Sequence, residues 1–290
     1  MQGVEAMVFD RFFSNDRRRN VNKRIFLTLI SLILVLAVLT TGCAKAASGD
    51  QSLKKVQDAK TLVLGLDDAF PPMGYRNESN EIVGFDVDVA KEVAKRMGVE
   101  LKLQPIDWSQ KFNELNAGTI DCIWNGYTIT EERLKETNVT GAYMKNRQIV
   151  IVLADSPVQT LADLAGKKLA LQAESSAAEA LESKPDFKSS LGEVIELKDN
   201  VTALLDLKAS GSDALLVDEI VAGYYIAREG KQYRILDEAL AEEEYGVGFR
   251  KADQALRDEV QKQLEAMAKD GTLAKISTDW FSKDITTIGK

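Results

Sequence analysis

Histidine is absent from this chain of 290 residues, which removes a histidine general base, a Ser–His–Asp triad and every zinc site built on imidazole. Cysteine occurs twice, at Cys43 and Cys122. Cys122 sits in an apolar strand pattern and reads as a small buried hydrophobe, so no disulfide is expected, and neither is a metal or a cofactor. No apolar run reaches the roughly 20 residues that a spanning helix needs. The candidate run, residues 25–39, is short and is interrupted at Thr28 and Ser31. Positive charge is also in deficit. Beyond Arg24 the chain holds 31 Lys and Arg against 42 Asp and Glu, a balance of −11. Nucleic acid and anionic membrane surfaces are therefore poor partners.

What is present begins with a basic cluster, Arg17 to Arg19 with Lys23 and Arg24, ahead of the short apolar run. That order suits an export signal. The run ends in Leu39-Thr40-Thr41-Gly42-Cys43, which resembles a bacterial lipoprotein processing site. Cleavage before Cys43 would leave it as a lipidated first residue; Thr40 stands where such sites usually carry leucine. An uncleaved anchor would put the chain on the same side of the membrane. Initiation at the Val21 codon would give an ordinary basic start, which N-terminal sequencing of the precursor tests. Residues 1–42 are read as the export signal and 43–60 as a tether ending in a weak helix over 53–58.

The rest is organised around residues 121–133, DCIWNGYTITEER. A buried strand passes through a small-residue turn at Asn125 and Gly126 into a helix carrying Arg133, one turn in. Strand ends of this kind offer free backbone N–H groups, and an arginine adds a planar fork that matches a carboxylate. Against this, Thr130 as a helix cap and Arg133 as a solvated side chain fit the segment equally well.

The flanking sequence repeats strand and helix with short turns. A strand over 61–66 leads to Asp67 and a turn presenting Phe70. A helix follows over 87–97 with Asp86 as its N-cap, then a strand over 100–105 and a helix opened by Asp107 or Ser109. A second run of the same kind starts after Gln148, and helices over 253–269 and 273–281 close the chain. This alternation predicts parallel sheets in two α/β lobes, 61–147 plus 246–290 and 148–245, joined by extended crossings near 145–150 and 243–249. A cleft between the lobes is the default ligand site.

At this point the chain resembles the solute-binding proteins of ABC transporters for polar amino acids, bacterial extracellular family 3. The residues that carry the resemblance are Leu64-Gly65-Leu66-Asp67 with Phe70-Pro71-Pro72, the run from Gly84 to Ala90, Ile120-Asp121, Asn125 to Thr130 with Glu132-Arg133, Gln172-Ala173 with Ser175-Ser176, and Asp218-Glu219. They cover nearly all of residues 61–283, in family order. The resemblance implies two Rossmann-like lobes joined by two hinge segments, the type II periplasmic-binding-protein fold. It implies that Arg133 holds a ligand α-carboxylate with the Thr128 hydroxyl and the main-chain N–H groups of Ser175 and Ser176. Asp218 would take the α-ammonium with the carbonyls of Asn125 and Gly126. Phe70 and Trp108 would close over the side chain, and Asp67 belongs to the same ligand-binding set.

Read without the family pattern, Asp218 would simply cap the following helix, Ser175 and Ser176 would be N-cap residues, and Trp124 and Phe85 would be core. One departure stands out. The family usually has a small residue, often glycine, at position 174, and this chain has Glu174. Facing solvent, Glu174 is uninformative; facing the cleft, it would favour a cationic ligand side chain.

The expected protein is a monomeric, lipid-anchored, extracytoplasmic receptor that binds a polar amino acid and hands it to a permease. A prephenate or arogenate dehydratase on the same fold is the first alternative, with Glu174 as general acid. A sensor module that binds an amino acid and signals is the second, the apolar leader being the sequence's only membrane element.

Overall fold

The computed structural model describes residues 49–230 and 232–290, so the expectations for the export signal and for Cys43 lie outside the described residues. In chain order, α1 (Ser52–Ala59) leads into β1 (Thr61–Leu66). The short strands β2 (Ala69–Phe70), β3 (Gly74–Arg76) and β4 (Ile82–Val83) form an antiparallel sheet of their own. Then come α2 (Phe85–Met97), β5 (Glu100–Pro105), a 3-10 turn (Trp108–Gln110), α3 (Lys111–Ala117), β6 (Cys122–Thr128), α4 (Glu131–Glu136) and β7 (Thr137–Val139). After the long strand β8 (Met144–Leu153) follow β9 (Lys168–Gln172), α5 (Ser176–Glu182), α6 (Pro185–Ser190), β10 (Glu193–Leu197), α7 (Asn200–Lys208), β11 (Ala214–Asp218) and α8 (Glu219–Glu229). The chain closes with β12 (Tyr233–Arg250), α9 (Gln254–Lys269) and α10 (Thr272–Phe281).

Two parallel groups, β5-β1-β6 and β10-β9-β11, occupy the two ends of one nine-stranded sheet ordered β10-β9-β11-β8-β12-β6-β1-β5, with β7 paired to β12. Between them lie β8 and β12, antiparallel to each other from Met144 opposite Tyr245 to Leu153 opposite Tyr233. These two strands connect the two parallel groups. The sequence divides β12 into a short strand and a separate return segment, whereas the chain runs it as one strand with irregular register between Ile235 and Ala241.

The near-continuous apolar strands are explained by burial on both faces. In β8, Ile149 and Ile151 enter one core cluster while Val150 and Val152 enter another. β11 divides likewise, Leu215 and Val217 from Ala214 and Leu216. Trp124 and Phe85 are both core residues, Phe85 with its ring centroid 5.2 Å from that of Phe281. Cys122 is free and buried.

Two local features differ from the sequence reading, and one helix was not read at all. Asp86 is not the N-cap of α2. Gly84 holds that position, and the Asp86 carboxylate turns inward, accepting from Gly126 N at 2.6 Å and from Tyr143 Oη at 2.8 Å. The end of the tether belongs to the globular unit: Val56 of α1 is core, and Asp50 and Ser52 accept hydrogen bonds from the first amides of α9, Ala255 N and Leu256 N. These amides have no partner within their own helix, so α1 docks where it can satisfy them. The helix α6 begins at Pro185, a residue suited to a first turn because its missing N–H costs nothing there.

Gly84 has φ +150°, and a Cβ on it would lie 2.1 Å from the carbonyl oxygen of Met73. Neither the backbone angle nor the space admits a side chain. Gly84→Ala is expected to lower stability by about 3 kcal/mol or more, seen as a lower urea midpoint. A midpoint equal to that of the wild type would contradict this packing.

Candidate functional site

Strand ends supply the site. β1 ends at Leu66, and Asp67 follows with its N–H donated to Asn125 Oδ1 at 3.2 Å. All seven residues of β6 are buried, and Gly126 within it has φ +55°. Thr130 then caps α4 by accepting from Arg133 N at 3.1 Å, which fixes the first turn that carries Arg133. From the other lobe, β9 ends at Gln172, Ser175 Oγ accepts from Ala178 N at 3.3 Å to start α5, and β11 ends at Asp218.

These segments meet around one small cavity, ≈ 10 Å³ in volume. It is lined by Asp67, Phe70, Trp108, Asn125, Gly126, Arg133, Gln172, Ser175, Ser176 and Asp218. Nine of the eleven residues singled out from the sequence are in that lining. Thr128 lies directly behind it, its Oγ1 3.0 Å from Ser176 Oγ. Glu174 does not line it. That residue is exposed, with φ +55°, and its side chain adds no charge to the cavity wall. The left-handed backbone also gives the physical reason for the usual glycine at this position. Wider recesses elsewhere, up to ≈ 910 Å³ beside Tyr75, Tyr224 and Trp280, lack this gathering of buried groups from four strands.

Arg133 is 1% exposed. Its Nε donates to Glu179 Oε1 of the opposite lobe at 2.9 Å and its Nη1 to Thr128 O at 3.3 Å, while Nη2 is buried with no partner among the described residues. Asn125 Nδ2 is a second buried donor of that kind. The solvated-arginine reading of the sequence is thereby excluded. Asp218 precedes α8 but makes no cap hydrogen bond; its Oδ1 accepts from Asn146 Nδ2 at 2.7 Å and Tyr245 Oη at 2.6 Å. Asp67 accepts from Ala69 N at 2.9 Å and, across the lobes, from Gln172 Nε2 at 2.8 Å.

Burial raises the buried acids. It pushes Asp67 up to about 6, and lifts Asp218 above its usual range. Glu243 is pushed up to about 7, by burial first and the neighbouring Asp218 second. The hydrogen bonds that these carboxylates accept oppose the shift.

Five buried or half-buried polar residues escaped the sequence reading as site residues. Gln172 lines the cavity and also accepts from Asn200 Nδ2 at 3.0 Å. Asn146 and Gln148 on β8 both donate to Glu243 Oε2 of β12, at 2.9 and 3.0 Å. Lys111 is buried beside Trp108. The available signal was the spacing of Asn146 and Gln148, which puts two polar residues on one face just before an apolar strand.

Fold and cavity define a two-lobed ligand-binding protein of the type II periplasmic class. The chain belongs to the bacterial extracellular solute-binding proteins, family 3, whose family model matches residues 62–283. Among its relatives, the arginine-binding extracellular protein ArtP of Bacillus subtilis is 32% identical over 258 residues, 87% of this chain and 97% of that one. The L-cystine-binding protein TcyJ of Escherichia coli K12 is 28% identical over 256 residues, 88% and 95%. The crystal structure of a histidine-bound ABC uptake transporter substrate-binding protein from Streptococcus pneumoniae aligns with TM-score 0.80 and 36% identity, over 83% of this chain and all of that one. An ancestral amino acid-binding protein, AncCDT-1, described as a precursor of cyclohexadienyl dehydratase, aligns with TM-score 0.73 and 28% identity over 79% and 99%.

Asp67, Asp86 and Glu243 hold protons more tightly folded than unfolded, at about 6, about 7 and about 7. The stability this contributes is full below about pH 4 and is lost as pH rises through 6 to 7. Asp270, held down to about 2 by Thr272 and Arg96, acts in the opposite sense, below that window. Asp86 packs against Gly126 and Tyr143 of its own lobe, so the ligand-free protein is expected to melt higher at pH 5.5 than at pH 7.5, with the difference reduced in Asp86→Asn. A melting temperature that rises between pH 5.5 and 7.5 would contradict the burial of these acids.

Proposed function

We propose that this family 3 protein is an extracytoplasmic receptor that captures one polar amino acid between its lobes and delivers it to the permease of an ABC transporter. The observation that carries the reading is Arg133, a buried, cavity-lining guanidinium with an unpaired Nη2, sharing a small cavity with the buried carboxylate of Asp218. A free amino acid brings the two charges that such a cavity needs, a carboxylate for the arginine and an ammonium for the aspartate.

The remaining roles follow. Thr128 and the N–H groups of Ser175 and Ser176 assist Arg133, and the carbonyls of Asn125 and Gly126 assist Asp218. Phe70 and Trp108, both buried, cover the side chain. Asp67 and Gln172 take its polar end, where an N–H donor would favour the ionised form of a carboxylate that burial holds near neutrality. This fits cationic and amide side chains. Glu174, exposed, has no part in the choice, and with it the dehydratase reading loses its general acid.

Capture is by hinge closure. Residues 61–147 plus 246–290 present the first set of contacts, and 148–245 add Ser175, Ser176 and Asp218, which bias the equilibrium by touching ligand only when closed. Cys43 is the lipid anchor, and one chain is a complete receptor.

Thermal unfolding against the twenty amino acids with ornithine, citrulline and cystine tests the reading. A true ligand at a thousandfold excess over Kd stabilises the fold by about 4 kcal/mol. Arg133→Ala should cost about 3 kcal/mol or more of binding, upwards of a hundredfold in Kd. A failure of every amino acid to shift the wild type, or near-normal affinity of the variant, would overturn it; product formation from arogenate or prephenate would move the chain to the enzymes.

A further inference from the structure

The buried lysine Lys111, first residue of α3, has no part in the roles above. It is 2% exposed, unusual for lysine, and is absent from the cavity lining. Its Nζ donates to Trp108 O at 3.3 Å and to Glu174 O at 2.8 Å. The ammonium also lies 4.8 Å from the centroid of the Phe112 ring and 5.4 Å from that of Trp108. Among the described residues it forms no ion pair. Its shortest polar contact is thus a main-chain carbonyl of the other lobe.

That carbonyl belongs to the left-handed residue of the turn between Gln172 and Ser175. The turn leads straight into Ser176, whose hydroxyl meets Thr128 of the first lobe. A charged group in a dry site needs a partner, and a hydrogen bond with one ionised member is stronger than a neutral one. With the lobes apart, Lys111 would lose the Glu174 carbonyl and regain water; with the lobes together, the carbonyl is what compensates its desolvation.

We propose that Lys111 is a positioning residue that latches the first lobe to the 172–176 turn, holding the closed, ligand-bound arrangement without touching the ligand. The role resides in the lysine and in the main chain of Glu174, not in the Glu174 side chain. This inference rests on the receptor reading and adds to it a residue that governs release rather than recognition.

Stopped-flow binding and small-angle scattering of the full chain with the amino acid that shifts its melting test the latch. Lys111→Met keeps the stem that packs on Phe112 and removes the donor. It is expected to raise the dissociation rate about tenfold with association within about threefold, to leave the melting temperature of the ligand-free protein unchanged, and to remain partly open by scattering at saturating ligand. Lys111→Arg, which keeps a donor, should recover most of the slow release, and provides the measurement if the methionine variant does not fold. Glu174→Gln should bind as the wild type does. Dissociation of Lys111→Met within twofold of the wild type, a loss of ligand-free stability in place of faster release, or a tenfold weakening by Glu174→Gln would each overturn the latch. If the wild type binds no amino acid, the receptor reading falls and takes the latch with it; if it binds and Lys111→Met binds equally, the latch alone falls.

Discussion

A guanidinium removed from water must have its edges matched, and the arrangement around Arg133 follows from that requirement. Its side chain is 2% exposed and carries five N–H donors and a charge. The protein answers two edges itself, one with Glu179 from the opposite lobe and one with a carbonyl of β6. The third, Nη2, is left without a partner among the described residues, in a side chain that lines a cavity together with two carboxylates and two aromatic rings. Had the chain answered all three edges, Arg133 would be a structural ion pair and the cavity would lack its attraction for a carboxylate.

The two long strands between the lobes contribute more than connection. Asn146 and Gln148 on β8, and Glu243 and Tyr245 on β12, form a hydrogen-bonded set that touches Asp218, Thr128 and Ser176. The strands that must bend when the lobes move therefore also hold the groups that meet the ligand in the proposed receptor. Asn146 alone donates to both Asp218 and Glu243, so a change of angle there disturbs two buried carboxylates together. Low-dielectric networks of this kind are costly to satisfy in part, which favours well-defined lobe arrangements over a continuum.

Much of the fold and of the cavity was legible in the sequence because the informative residues sit at strand ends. Asp67, Ser175 and Asp218 each follow or end an apolar run, and a turn after a strand is easy to find, whereas Asn125 and Gly126, read as such a turn, lie inside β6, which continues to Thr128. The residues that escaped are those whose partners are remote in sequence. Lys111 reads as the start of an ordinary helix until the Glu174 carbonyl, 63 positions later, comes within reach. Glu243 lies in a stretch of three consecutive glutamates that looks like a solvated charge run, and only its pairing across β8 buries one of them. Asp86 failed as a cap for a related reason: Gly84, two residues earlier, takes the cap position and leaves the aspartate to face Gly126 and Tyr143.

Two acids, Asp67 in the cavity wall and Glu243 behind it, have a further consequence for the heat and the proton count of ligand capture. With Asp67 near 6 and Glu243 near 7, the site at neutral pH carries a fraction of a proton that an arriving cationic group would displace. In the proposed receptor, part of the enthalpy seen by a calorimeter then belongs to the buffer that accepts the displaced proton. The receptor would bind a cationic amino acid less tightly in a mildly acidic medium than in a neutral one, so the acidity of the surroundings would set how much solute it holds before any permease is engaged.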